Sequence, residues 1–130
     1  MPTTLKPVYM LVSDLFFATK IVKTTQAVGL EGRAFDSANR LVQASREKPP
    51  ALVIMDCQGL EKEAYQVLQE FRSSEELKGI PHIGYLSHGA QDLKREMRQA
   101  GCLQVYNKSE FVRELENLLA RYAHGIPSRI

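Results

Sequence analysis

Short apolar runs alternate with longer amphipathic segments along most of the chain, and this alternation limits the possible folds more than any other feature. The clearest runs are residues 8–12 (VYMLV), 51–55 (ALVIM) and 82–86 (HIGYL), with weaker ones at 33–35 and 104–106. Runs of about five residues with β-branched and aromatic members predict strands. Their continuous apolarity is typical of strands covered on both faces, as in parallel sheets.

The segments between these runs carry apolar residues at helical spacing. Ala64, Val67, Leu68 and Phe71 follow the i, i+3, i+4, i+7 pattern of a helix with one buried face. Ser109 is the predicted N-cap of the last helix. The other predicted buried stripes are Phe17, Ile21 and Val28; Leu41, Val42 and Ser45; Leu93, Met97 and Ala100; and Phe111, Leu115, Leu118 and Tyr122.

The resulting order, βαβαβαβαβα, predicts a single doubly wound, five-stranded parallel sheet flanked by five helices, with right-handed connections. A chain of 130 residues suits one domain with one core. We expect that domain over residues 1–123. The last segment, 124–130, has no periodicity and is expected to be a flexible tail.

Charge and composition exclude several classes of protein. The net charge of +2 gives no electrostatic footprint for nucleic acid. The longest apolar run is far shorter than the roughly 20 residues that span a bilayer, and no secretory signal is visible. Cys57 and Cys102 are too few and too far apart for a disulfide scaffold or a zinc site. We therefore expect a cytoplasmic protein that binds neither nucleic acid nor membrane.

Polar side chains follow the predicted strands. Ser13 and Asp14 come after the first, Asp56 after the third, Ser87 after the fourth and Lys108 after the fifth. Carboxyl ends of parallel strands meet at one edge of a sheet, where ligands bind. The two carboxylates suit Mg²⁺, the lysine and the hydroxyl suit a phosphoryl group, and a carboxylate can itself be the nucleophile.

Several ordered pieces of the sequence carry a family resemblance. They are LVSDLFFATKIV, ALVIMD, YLSHGA and RQAG, followed by Lys108 seven residues after Gly101. From residue 6 to residue 122 the chain resembles the receiver domain of two-component response regulators, which has a flavodoxin-like fold. The resemblance implies that Asp56 is the phospho-acceptor and Asp14 the second of the acidic pair that binds the metal. It places Ser87 at the switch hydroxyl and Lys108 at the lysine of the family.

One departure from the family pattern affects the metal. Ser13 stands where receivers usually carry the first acid of the pair. A carboxylate about 5 Å from a cation contributes on the order of 3 kcal/mol per charge product. A water held by the serine would replace part of that. We therefore expect Mg²⁺ binding to be weakened, by about tenfold or more, rather than abolished.

Other departures surround the acceptor and the lysine. Cys57, Gln58 and Gly59 replace the loop that usually contains proline, and Ser109 replaces the usual proline after the lysine. Val105 stands at the position of the aromatic switch residue. Its neighbour Tyr106 would face the opposite side of the sheet, because side chains alternate along a strand.

Each site residue also has a plainer interpretation. Asp14 and Asp56 could cap the helices that follow them, Ser87 could be a turn residue, and Lys108 could be a solvated lysine. His82 and His88 are interpreted as structural.

The remaining unusual residues favour packing or solvent over chemistry. Cys57 and Cys102 are expected in the core. Lys94, Arg95 and Arg98 form a solvated helix face that is also a candidate partner surface. Phe16 and Phe17 are adjacent on a helix, so one of them is expected to be exposed.

The leading hypothesis is a signalling module, not an enzyme, that accepts a phosphoryl group at Asp56 from a histidine kinase. Its alternative is a pseudo-receiver that binds other signalling proteins without phosphorylation. A homodimer through the fourth helix and the fifth strand is an expected mode of self-association. A cofactor-binding enzyme is disfavoured, because SDLFF follows the first strand in place of a glycine-rich phosphate loop.

Overall fold

The computed structural model describes residues 6–87 and 89–122. The strands are β1 (Val8–Leu11), β2 (Gly32–Phe35), β3 (Leu52–Asp56), β4 (His82–Leu86) and β5 (Gln104–Asn107). The helices are α1 (Leu15–Ala27), α2 (Ala38–Glu47), α3 (Glu61–Arg72), α4 (Gln91–Gln99) and α5 (Lys108–Tyr122). His88 and the predicted tail lie outside the described residues.

All five strands pair in parallel, in the order β2-β1-β3-β4-β5. This is the predicted doubly wound sheet, and the fold-class prediction is confirmed. The strand order reverses between β1 and β3, so the carboxyl ends of these two strands flank the topological switch point. None of the helices within residues 6–87 and 89–122 is long and apolar enough to cross a membrane.

Two apolar layers cover the sheet. One side packs against α1 and α5 and includes Ile21, Tyr85 and Phe111. The other packs against α2, α3 and α4 and includes Phe71 and Met97. Strands β1, β3 and β4 are therefore buried almost throughout, whereas β2 lies at the edge and is partly exposed. The weak apolar signal of β2 follows from that edge position.

Caps fix where the helices at the functional edge begin. The backbone N–H of Phe17 donates to the Asp14 carboxylate at 3.2 Å, so Asp14 is the N-cap of α1. The prediction that Ser109 caps the last helix is wrong. Asn107 fills that role: its side-chain oxygen accepts from the Glu110 N–H at 2.9 Å, and its own N–H donates to the Glu110 carboxylate at 3.2 Å. This reciprocal capping box starts α5 one residue before Ser109.

Candidate functional site

Asp56 is the last residue of β3, and the loop that follows binds its carboxylate. Oδ1 accepts hydrogen bonds from the backbone N–H groups of Gln58 at 3.1 Å and Gly59 at 2.7 Å. A Cβ atom at position 59 would overlap Oδ2 of Asp56, so only glycine leaves that oxygen room. One carboxylate oxygen is thus held by the loop, while the other accepts no protein hydrogen bond in the described part of the chain.

A cleft of about 250 Å³ opens beside Asp56. Ser87 and Lys108 line it together with Asp56, so the structure brings together the three residues predicted to handle a phosphoryl group. Its remaining lining residues are Gln58, Gly59, Tyr85 and Leu86. The topology accounts for this arrangement, because these residues lie at or just beyond the carboxyl ends of β3, β4 and β5.

The fourth predicted residue, Asp14, lies at the beginning of α1 and is exposed. It is not part of the cleft lining. The negative charges of Asp56 and Asp14 both act on the Tyr85 hydroxyl. Asp14 also caps α1, so the plainer interpretation holds alongside the functional one. The two roles are compatible, because only Oδ1 of Asp14 accepts the capping hydrogen bond.

Lys108 presents a cation to this region. Its ammonium nitrogen lies 4.5 Å from the centre of the Phe17 ring, a cation–π distance that holds the side chain over α1. No salt bridge joins Lys108 to a carboxylate within the described ranges. The ammonium is therefore available to an anionic group that enters the cleft.

A side chain from the loop after β3 contacts the residue after β4. The backbone N–H of Ser87 donates to the amide oxygen of Gln58 at 2.6 Å. This bond links the loop after β3 to the end of β4 directly across the cleft. The sequence pattern did not indicate it, because a glutamine in an exposed loop carries no signal of its partner.

Tyr85 forms the buried wall of the cleft. Its ring stacks on Phe111 with centroids 4.9 Å apart and meets the edge of Phe17 at 5.0 Å. Only 2% of its surface is exposed, and within residues 6–87 and 89–122 its hydroxyl has no hydrogen-bond partner. Burial, followed by the charges of Asp56 and Asp14, raises the pKa of this hydroxyl well above its usual range, so the phenol is neutral. In the sequence, Tyr85 is recognisable only as a member of an apolar strand.

The prediction that Tyr106 and Val105 face opposite sides of the sheet is confirmed. Val105 is buried on the α4 side of the sheet, whereas Tyr106 packs against the α1 and α5 side. No aromatic side chain from β5 therefore occupies the α4 side of the sheet.

The two cysteines are buried, as predicted. Contact with the Cys102 thiol and burial raise the pKa of the Cys57 thiol, so it is a poor nucleophile.

Asp56 in the cleft and Asp14 at the same edge of the sheet are carboxylates of the kind that hold a hydrated divalent cation. The part of the chain that the structure describes has no group of three His, Cys, Asp or Glu side chains placed to hold a metal. Asp14 and Asp56 supply two carboxylates, and Mg²⁺ commonly binds through one or two carboxylates while keeping several waters.

Solved structures provide the comparison at this point. A response regulator from Hahella chejuensis is 14% identical, with a TM-score of 0.77 over 90% of this chain and 94% of its own. The receiver domain of a sensor histidine kinase from Pseudomonas aeruginosa, with a magnesium ion in its active-site cleft, is 19% identical, with a TM-score of 0.71 over 88% and 98%. The phosphorylated cyanobacterial phytochrome response regulator RcpA is 17% identical, with a TM-score of 0.72 over 90% and 93%.

The chain has the fold of a response-regulator receiver domain. At these identities the similarity establishes the fold and not the activity. No protein-family model matches the sequence, and no curated protein matches it significantly. The receiver fold explains why Asp56, Ser87 and Lys108 meet at one sheet edge.

Proposed function

We propose that this receiver-like chain is a signalling module that accepts a phosphoryl group on Asp56. The observation that carries the proposal is the shared cleft of Asp56, Ser87 and Lys108. Oδ2 of Asp56 would attack the phosphorus of a phosphohistidine, forming a P–O bond as the P–N bond breaks and the imidazole leaves. Lys108 would neutralise the charge on the transferred group, and the Ser87 hydroxyl would donate a hydrogen bond to it.

A divalent cation belongs to the same proposal. Asp14 and Asp56 would hold it, and it would neutralise charge on the phosphoryl oxygens during transfer. Magnesium in the Pseudomonas receiver domain supports this proposal. Ser13 in the acidic-pair position weakens the site, because one carboxylate fewer faces the cation.

The proposed phosphodonor is a histidine kinase or another signalling protein that carries phosphohistidine. Phe16 is 90% exposed and Leu15 81% exposed beside Asp14, which gives such a partner an apolar contact at the rim of the site. Self-association through α4 and β5 is a further part of the proposal. The exposed side chain of Leu103, directly before β5, supports it.

Labelling by a small phosphodonor tests the proposal. The full chain is incubated with acetyl phosphate and Mg²⁺, and its intact mass is recorded. We expect a gain of one phosphoryl group that hydroxylamine removes, and that is absent from Asp56→Asn. Asp36→Asn is the matched control, because Asp36 is an exposed aspartate that follows β2 and does not line the cleft. A gain that persists in Asp56→Asn would overturn the assignment.

A pseudo-receiver is the second candidate, and two hydrogen-bonding features favour it. Oδ1 of Asp56 is already bound by two loop N–H groups, and the Ser87 N–H is already bound by Gln58. A module in this state would bind partners through its surface without phosphorylation. The absence of any mass gain, under conditions that label an ordinary receiver domain, would favour this candidate over the first.

A further inference from the structure

The side chain of Gln58 connects two loops at the cleft. Its amide oxygen accepts a hydrogen bond from the backbone N–H of Ser87 at 2.6 Å. Both residues are exposed, and both line the cleft together with Asp56. A long exposed side chain loses rotamer freedom when it is held in one position, and burial does not compensate Gln58 for that loss. The hydrogen bond is therefore within reach of any group that enters the cleft.

This hydrogen bond is a main restraint on the loop after β4. In the described part of the chain, no other side-chain hydrogen bond involves residue 87, 89 or 90. Gly89 has a φ of +95°, and nothing lies within 4 Å of a Cβ atom built there. Helix α4 begins after Ala90 without a side-chain cap, and of residues 91–99 only Met97 is buried. The segment that leads from the cleft into α4 is thus lightly packed, and Gln58 fixes its first residue.

A phosphoryl group on Asp56 would compete for the same donor. It would bring a charge of about −1.5 to −2 and three acceptor oxygens into the cleft that Ser87 lines. A hydrogen bond to an ionised acceptor is roughly twice as strong as one to a neutral acceptor such as an amide oxygen. The Ser87 N–H therefore favours a phosphoryl oxygen over the side chain of Gln58.

We propose, building on the proposed phosphorylation of Asp56, that Gln58 is a positioning residue that regulates this site. In the unphosphorylated chain its amide oxygen holds the Ser87 N–H and, with it, the start of the loop after β4. A phosphoryl group on Asp56 displaces that oxygen, and the loop is released from Gln58. Because the bond has to break before Ser87 can bind the phosphoryl group, it also slows phosphorylation.

The variant Gln58→Met tests this role, because methionine has a similar length and lacks the amide oxygen. The backbone N–H groups that bind Oδ1 of Asp56 are retained. We expect the Ser87 amide to exchange its hydrogen about threefold faster or more, measured by NMR on the full chain without phosphodonor. The initial rate of labelling by acetyl phosphate with Mg²⁺ should rise about three- to tenfold, as loss of one neutral hydrogen bond predicts. Gln43→Met, at an exposed position of α2 outside the cleft, should change neither rate.

The variant Gln58→Glu keeps an acceptor oxygen at the same length, so its Ser87 amide should exchange as slowly as that of the wild type. Exchange as fast as in Gln58→Met would overturn the role of the acceptor, and so would unchanged exchange in Gln58→Met itself. Faster exchange without faster labelling in Gln58→Met would show that the phosphoryl group does not compete for the Ser87 N–H. That result would overturn the role of Gln58 and leave the phosphorylation of Asp56 intact. No labelling of either the wild type or Gln58→Met would overturn the proposed phosphorylation itself.

Discussion

At the scale of single residues, Gly59 determines where the Asp56 carboxylate can lie. Its N–H donates to Oδ1 at 2.7 Å, and the space beyond its Cα is filled by Oδ2. Its φ is not positive, so alanine can adopt the same backbone conformation. An added methyl group would therefore act on the aspartate and not on the loop.

We expect Gly59→Ala to rotate the Asp56 side chain and to reduce labelling by acetyl phosphate about tenfold or more, because misplacing a reacting atom by about 1 Å can cost 10²-fold. The free energy of unfolding should change by less than about 1 kcal/mol. Intact-mass labelling and urea unfolding measure the two quantities. Gly79→Ala is the control, because nothing lies within 4 Å of a Cβ there. Equal labelling rates in the two variants would contradict the constraint.

How far single residues can be predicted from sequence depends on what fixes them. Asp56, Ser87 and Lys108 follow strands, so the topology alone places them at one edge. The sequence does not indicate Tyr85, because a residue in a buried apolar strand looks the same whether or not it lines a cleft. Residue type alone predicts Ser109 as a cap, whereas the strand end at Asn107 decides where α5 begins.

At the scale of elements, β4 packs through a glycine. Gly84 faces the α2, α3 and α4 side, where a Cβ atom would overlap the Cys57 sulfur and lie 3.3 Å from the Cys102 sulfur. Both sulfurs are buried in that layer. The missing side chain at Gly84 is therefore what lets the loop after β3 pack against this central strand.

We expect Gly84→Ala to lower the free energy of unfolding by about 1–3 kcal/mol, because overpacking forces neighbours out of place. Urea unfolding measures the loss, and Gly79→Ala should show almost none. Adding Cys57→Ala to Gly84→Ala should recover part of the stability, since it removes the sulfur that overlaps. The two single changes together predict a certain loss of stability. If the double variant loses more than that, overlap with the Cys57 sulfur is not the cause.

How well the bounds of strands and helices can be predicted also depends on burial. The central strands were predicted to within one residue, because they are buried on both faces and read as continuous apolar runs. Strand β2 gave a weak signal, since an edge strand exposes Arg33 and Ala34. The α3 stripe was confirmed in full, whereas Val28 proved to be the C-cap of α1 and not part of it.

At the scale of the whole molecule, the alternation of elements sufficed to predict the sheet and the edge that carries the site. Whether Asp56 is phosphorylated was not predictable in the same way. The local hydrogen bonds around Asp56, such as that from the Ser87 N–H to Gln58 and that from the Gln58 N–H to Asp56, are not encoded by any periodicity. Structures with 14–19% identity share this fold, so the architecture tolerates wide variation in sequence.

Global stability should depend on pH through His82. This side chain is buried in β4 against Phe71, with ring centroids 4.6 Å apart. Burial lowers its pKa from 6.5 to about 4, partly opposed by the Ile80 carbonyl. The charged residues that line the adjoining surface cleft, Arg72 and Lys78, are both cationic and do not favour a charged imidazole.

Unfolded His82 therefore binds a proton near pH 6.5, whereas folded His82 binds one only near pH 4. The contribution of His82 to the free energy of unfolding is fully present above pH 6.5 and is lost as the pH falls toward 4. We expect the wild type to lose about 2 kcal/mol from this source between about pH 7 and pH 5. Urea unfolding of the wild type and His82→Leu over this range isolates the contribution, because all other titrating groups are common to both. If the wild type and His82→Leu gave parallel pH profiles, His82 would bind its proton equally well in the folded and unfolded chain, and burial would not lower its pKa.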